Sequence, residues 1–75
     1  MGWRKTLINP VAISATIDNI KKAIKAGDPI IEKMRCVYIL EDDPIVQCLM
    51  PYDFIDNINT GINIKTLYLY TQEDK

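Results

Sequence analysis

Histidine is absent from the 75 residues, which removes the side chain that most often serves as general base and metal ligand near neutral pH. Ser14 is the only serine, and it falls within a predicted helix. The three glycines, Gly2, Gly27 and Gly61, are scattered, so no glycine-rich loop can turn several backbone amides onto a phosphate. Two cysteines, Cys36 and Cys48, cannot complete a four-ligand zinc site within one chain that has no histidine. No apolar run approaches the roughly 20 residues that a membrane-spanning helix needs. The apolar stretch after Arg4-Lys5 is broken by Asn9-Pro10, which does not fit a secretory leader. The expectation is a cytoplasmic, reducing setting with both thiols free.

What is present is isoleucine, thirteen of them, in a Lys- and Asn-rich background typical of AT-rich coding sequence, a weak pointer to a phage, a mobile element or a low-GC bacterium. A chain this short forms a single domain, residues 1–75, and buries only about 60–65% of its unfolded surface, so a partner or second copy is expected to supplement its core. The net charge of −1 hides a division. Residues 1–35 carry seven Lys/Arg against three acids, whereas residues 36–75 carry two Lys against seven acids. Such polarity can orient an association when the fold keeps the halves apart.

The spacing predicts a short strand over Trp3 to Ile8 with Trp3, Lys5 and Leu7 on one side. Asn9-Pro10 then opens a helix, since Asn caps free amides and proline lacks only a donor that would be orphaned there. The helix runs to Ala26 and stops at Gly27. Its apolar positions Ile13, Ile17, Ile20 and Ile24 fall within about a 60° arc at 100° per residue, a stripe that needs a sheet to cover it. Asp28-Pro29 repeats the cap-then-proline pattern and predicts a further helical turn over Ile30 to Met34.

Arg35 to Leu40 and Ile45 to Met50, rich in β-branched and aromatic residues, read as a hairpin around Glu41-Asp42-Asp43-Pro44. A two-residue turn on Asp42-Asp43 would need positive φ at both, so a loop of three to five residues is expected. Pairing in which residue numbers sum to 84 would set Cys36 opposite Cys48; a slip by one sends them to opposite faces. Tyr52 to Gly61 predicts a second short helix with Phe54, Ile55 and Ile58 on its inner face. The last strand, Ile62 to Thr71, carries Ile62, Ile64, Tyr68 and Tyr70 on one side and Leu67 and Leu69 on the other. Apolar on both faces near its end, it is expected to be central. The chain from Gln72 is expected to be a polar tail.

These elements predict an α+β fold: a small antiparallel sheet of three or four strands with one main helix across one face. No catalytic constellation, metal site or cofactor is expected. Glu41-Asp42-Asp43 lacks the alternating ligands and glycine of a calcium loop and reads as a solvated turn. An acidic pI and tyrosines placed in the acidic half disfavour nucleic acid as a partner. Met1-Gly2-Trp3-Arg4-Lys5-Thr6 fits the formal acylation pattern, but an indole beside Gly2 suits the narrow transferase site poorly.

By exclusion, the expected function is a small non-enzymatic binding protein, in a phage or mobile element one that occupies and inhibits a host protein. Interfaces favour aromatic anchors, which nominates Tyr70, Tyr68, Trp3 and Tyr52, with the exposed turn Glu41, Asp42 and Asp43 beside them. The alternatives are an oligomeric binder of an anionic or nucleotide-like ligand, held between subunits by Arg4, Lys21, Lys25 and Arg35, or a structural subunit of a larger assembly. A homo-oligomer, first of all a dimer, is expected in either case.

Overall fold

Isoleucines repeating at helical spacing and β-branched residues alternating at strand spacing sort the chain into two layers, one of helices and one of sheet. The computed structural model describes residues 2–58 and 63–73. Its elements are β1 (Gly2–Leu7), α1 (Ile13–Ala26), β2 (Met34–Leu40), β3 (Asp43–Leu49), α2 (Pro51–Ile58) and β4 (Ile64–Glu73), with 3-10 turns at Pro10–Ala12 and Pro29–Lys33. The four strands form one sheet in the order β1-β4-β2-β3, antiparallel at every pairing. This is the expected α+β architecture, with four strands rather than three.

Local chemistry explains the boundaries. The Val11 N–H donates to Asn9 Oδ1 at 3.1 Å and the Ile30 N–H to Asp28 Oδ1 at 3.0 Å, so both cap-then-proline sites act as read. Each starts a 3-10 turn; after Asn9 this precedes the α-helix proper, and after Asp28 it leads straight into β2. Helix α1 ends where Gly27 takes φ 70°, a left-handed conformation that glycine adopts without a Cβ clash. There the Gly27 N–H donates to Ile24 O at 3.1 Å and the Asp28 N–H to Ala23 O at 3.0 Å, closing the last turn.

Ile20, Cys36, Tyr38, Phe54 and Leu67 form the buried cluster, and Ile13, Ile17, Ile24, Ile55, Ile58 and Leu69 pack against it. The rings of Tyr38 and Phe54 lie 5.0 Å apart, tilted by 56°, within the range favoured by aromatic quadrupoles. The Tyr38 hydroxyl accepts a hydrogen bond from Asn57 Nδ2, which supplies a partner for the polar end of an otherwise buried ring.

Three details differ from the sequence reading, and one lies beyond what the structure describes. The hairpin turns on Glu41-Asp42, with Leu40 paired to Asp43, not on a longer loop. No described non-glycine residue has positive φ; an irregularity between Tyr38 and Leu40 shifts the register, and such a bulge supplies twist that the turn itself does not. Between Ile39 and Leu40 the pairing with β4 also shifts, so Ile64 joins the core side with Leu67 and Leu69 rather than Tyr68. The strand continues through Gln72 and Glu73, which pair with Trp3 and Gly2, because β1 offers a partner there. Finally, α2 is described to Ile58; the expected helix end at Gly61 and the strand position of Ile62 lie outside the described residues.

Candidate functional site: the open face of the sheet

Cys36, Tyr38, Leu67 and Leu69 alternate onto the side where α1 and α2 pack. Strand alternation therefore sends their neighbours to the other side. There β1 contributes Trp3, Lys5 and Leu7, β4 contributes Tyr68 and Tyr70, β2 contributes Arg35, Val37 and Ile39, and β3 contributes Val46 and Cys48. No described element covers this side. Trp3 is 45% exposed, and Leu7 and Val46 are each 60% exposed, so a continuous apolar surface faces outward on a molecule whose helices are both on the opposite side.

Register sets the pattern across this face. Lys5 pairs with Tyr70, which pairs with Arg35, and in the next row Leu7, Tyr68, Val37 and Cys48 lie side by side. Both cations lean on rings: Lys5 Nζ is 4.5 Å from the Tyr68 centroid, and Arg35 Cζ is 5.5 Å from the Trp3 centroid. Such contacts are worth about 0.5–1 kcal/mol at exposed sites. The Arg35 guanidinium also donates to Met34 O at 2.8 Å, which holds it low over the sheet. Trp3, Arg35, Val37, Cys48 and Tyr70 surround a shallow depression of about 360 Å³.

Three of the four aromatic residues nominated from sequence, Trp3, Tyr68 and Tyr70, thus share one surface. Tyr52 does not: it is on α2, where its hydroxyl donates to Glu32 Oε1 at 3.2 Å. Glu41 and Asp42 are exposed at the hairpin end, while Asp43 turns a carboxylate oxygen to the Ile45 N–H at 3.1 Å. The four cations nominated for an anion are not brought together. Arg35 is on the open face, Arg4 alternates to the other side of β1, and Lys21 and Lys25 are on exposed turns of α1.

Pairing of Val37 with Cys48 settles the thiols. Cys36 is buried among the core residues and Cys48 is exposed on the open face. Burial, with a smaller contribution from Cys48, pushes the Cys36 thiol from 9.0 up to about 12, the reverse of what a nucleophile requires. Among the described residues no group of three His, Cys, Asp or Glu side chains could hold a metal ion, and no helix is long and apolar enough to cross a membrane. On the helix side, the hollow bounded by Pro10, Ile13, Ser14, Ile17, Ile58, Asn63 and Ile64 contains no titratable side chain.

Leu7, Val37, Ile39, Val46 and Cys48 as one contiguous patch escaped the sequence reading. Trp3-x-Lys5-x-Leu7 and the doubly apolar last strand were the available signs, but only strand order makes them neighbours. No protein family, curated protein or solved structure matches this chain.

Proposed function

We propose that this protein is a non-enzymatic protein-association module that works through the open face of its sheet. The observation that carries this reading is an uncovered, largely apolar surface on a chain too small to leave one without consequence: Leu7 and Val46 are 60% exposed beside Trp3 at 45%. Exposed contiguous apolar surface marks association sites in small globular proteins. The non-enzymatic part rests on residue types. Histidine is absent, the buried thiol is held protonated, and the described open-face residues include no acid to act as a base.

The face suits protein better than nucleic acid. Among the described residues its cations number two, and each already leans on an aromatic ring that a stacking base would require. Aliphatic Leu7, Val37, Ile39 and Val46 match an apolar protein surface instead.

Replacing Val37 and Tyr68 together by threonine keeps strand propensity while removing apolar contact. The double variant is expected to retain the circular dichroism spectrum and lose the associations of the parent chain in sedimentation and cross-linking. Lys21→Glu with Lys25→Glu on α1 serves as the control that keeps them. Retention of every association by the open-face variant would overturn the reading.

A further inference from the structure

We infer that the occupant of the open face is a second copy of this chain, packed face to face with its strands antiparallel to those of the first; the inference rests on the association reading above. The charge layout across the face points to this arrangement. Lys5 and Arg35 are at the end near the start of β2, and no acid alternates onto the face among the described residues. At the opposite end, the β2–β3 hairpin presents Glu41 and Asp42, both exposed. Lys65, in the irregular part of β4 opposite Leu40, offsets part of that negative end but leaves it acidic.

A two-fold axis across the strands near the Tyr38–Gln47 pair exchanges the two ends and sets β2, β3 and β4 each against its own copy, while β1, which pairs with β4 only from Tyr68 to Glu73, is wholly on one side of the axis. Arg35 is then set against the Glu41-Asp42 turn of the other copy, about 20 Å along the strand at 3.3 Å per residue. The same operation brings Cys48 of one copy over Val46 of the other and gathers Val37, Ile39 and Tyr68 at the centre. Two aligned sheets packed about 10 Å apart are the geometry of ordinary sheet sandwiches. The opposite arrangement, with strands parallel across the interface, would set cation on cation and acid on acid.

Size is consistent with a reversible dimer. The three strands that overlap, spaced about 4.8 Å and seven residues deep, present roughly 330 Å² per copy, or about 660 Å² in all, the scale of a weak, transient association.

The experiment is a charge-reversal cycle read by sedimentation velocity over a dilution series of the full chain. Arg35→Glu alone, and Glu41→Lys with Asp42→Lys, are each expected to weaken the dimer at least about tenfold, and their combination to restore it to within about threefold. Arg35→Gln, which removes charge without reversing it, gives an intermediate loss and guards against misfolding of the reversed variant. Dilution of the parent chain should also raise the alkylation rate of Cys48, which the second copy covers with Val46.

A monomer at every concentration, a dimer indifferent to the single reversals, or a loss that the combination does not rescue would each overturn this pairing. If the parent is monomeric while Val37→Thr with Tyr68→Thr still abolishes capture of another protein, the association reading stands and the second copy falls. If that variant changes no association, both fall.

Discussion

Val37 is directly across the hairpin ladder from Cys48, one step out of phase with Cys36, so the two thiols of this protein look out of opposite faces of one sheet. They cannot form a disulfide without breaking the register. In dilute solution at pH 8, iodoacetamide is expected to modify Cys48 and spare Cys36, giving one adduct by intact mass and two after unfolding. Two adducts on the folded chain at equal rates would contradict the buried position of Cys36.

The same burial makes stability depend on alkaline pH. The Cys36 thiol ionises near 9.0 when exposed and near 12 in the fold. Between those values the unfolded chain gives up a proton that the folded chain keeps, so this contribution is fully present below pH 9 and is lost as pH rises toward 12. The slope is at most about 1.4 kcal/mol per pH unit. Urea denaturation of the parent and of Cys36→Ala, compared from pH 8 to 10.5, should show a shallower decline in the variant.

Phe54 is fully buried against Tyr38 and ties α2 to the sheet. Phe54→Ala is expected to cost about 3–5 kcal/mol, which leaves little of the ordinary stability of so small a domain. Phe54→Leu should cost less, and Tyr38→Phe about 0.5–1.5 kcal/mol through the lost Asn57 contact. Chemical denaturation ranks the three, and a near-neutral Phe54→Ala would show that α2 does not close the core.

Gly27 ends α1 with φ 70° and has no heavy atom within 4 Å of the position a Cβ would take. Gly27→Ala therefore carries only a backbone penalty, about 1 kcal/mol, and Gly27→Asn a smaller one. Asn9→Ala removes the oxygen that caps Val11, at about 0.5–2 kcal/mol. Thermal melts that show no loss for Gly27→Ala would mean that the helix ends elsewhere in solution.

Local chemistry was largely legible along the chain. The Ile13, Ile17, Ile20 and Ile24 stripe, the caps at Asn9 and Asp28, the stop at Gly27 and the inner face of Phe54, Ile55 and Ile58 all depend on residues within a few positions of one another. The turn was less legible, because Glu41-Asp42 connects the strands with no described non-glycine residue at positive φ, beside a register irregularity between Tyr38 and Leu40. Such an irregularity answers to sheet twist, and twist belongs to the paired strands rather than to the turn.

By itself, the sequence determined the order and kind of the helices and strands, though not the ends of β3 and β4, and that no histidine-based chemistry is available. Tertiary structure alone decided the hairpin register, and with it which cysteine is buried, because a slip of one residue reverses every side chain and both patterns were chemically acceptable. The doubly apolar last strand already pointed to the central place it takes, but only tertiary structure made β1 and β2 its neighbours and placed α1 and α2 on the same side. That placement joins Trp3, Tyr70, Arg35 and Val37 into one surface: they come from three strands far apart in the chain, and hydrogen bonding between strands is what makes them neighbours.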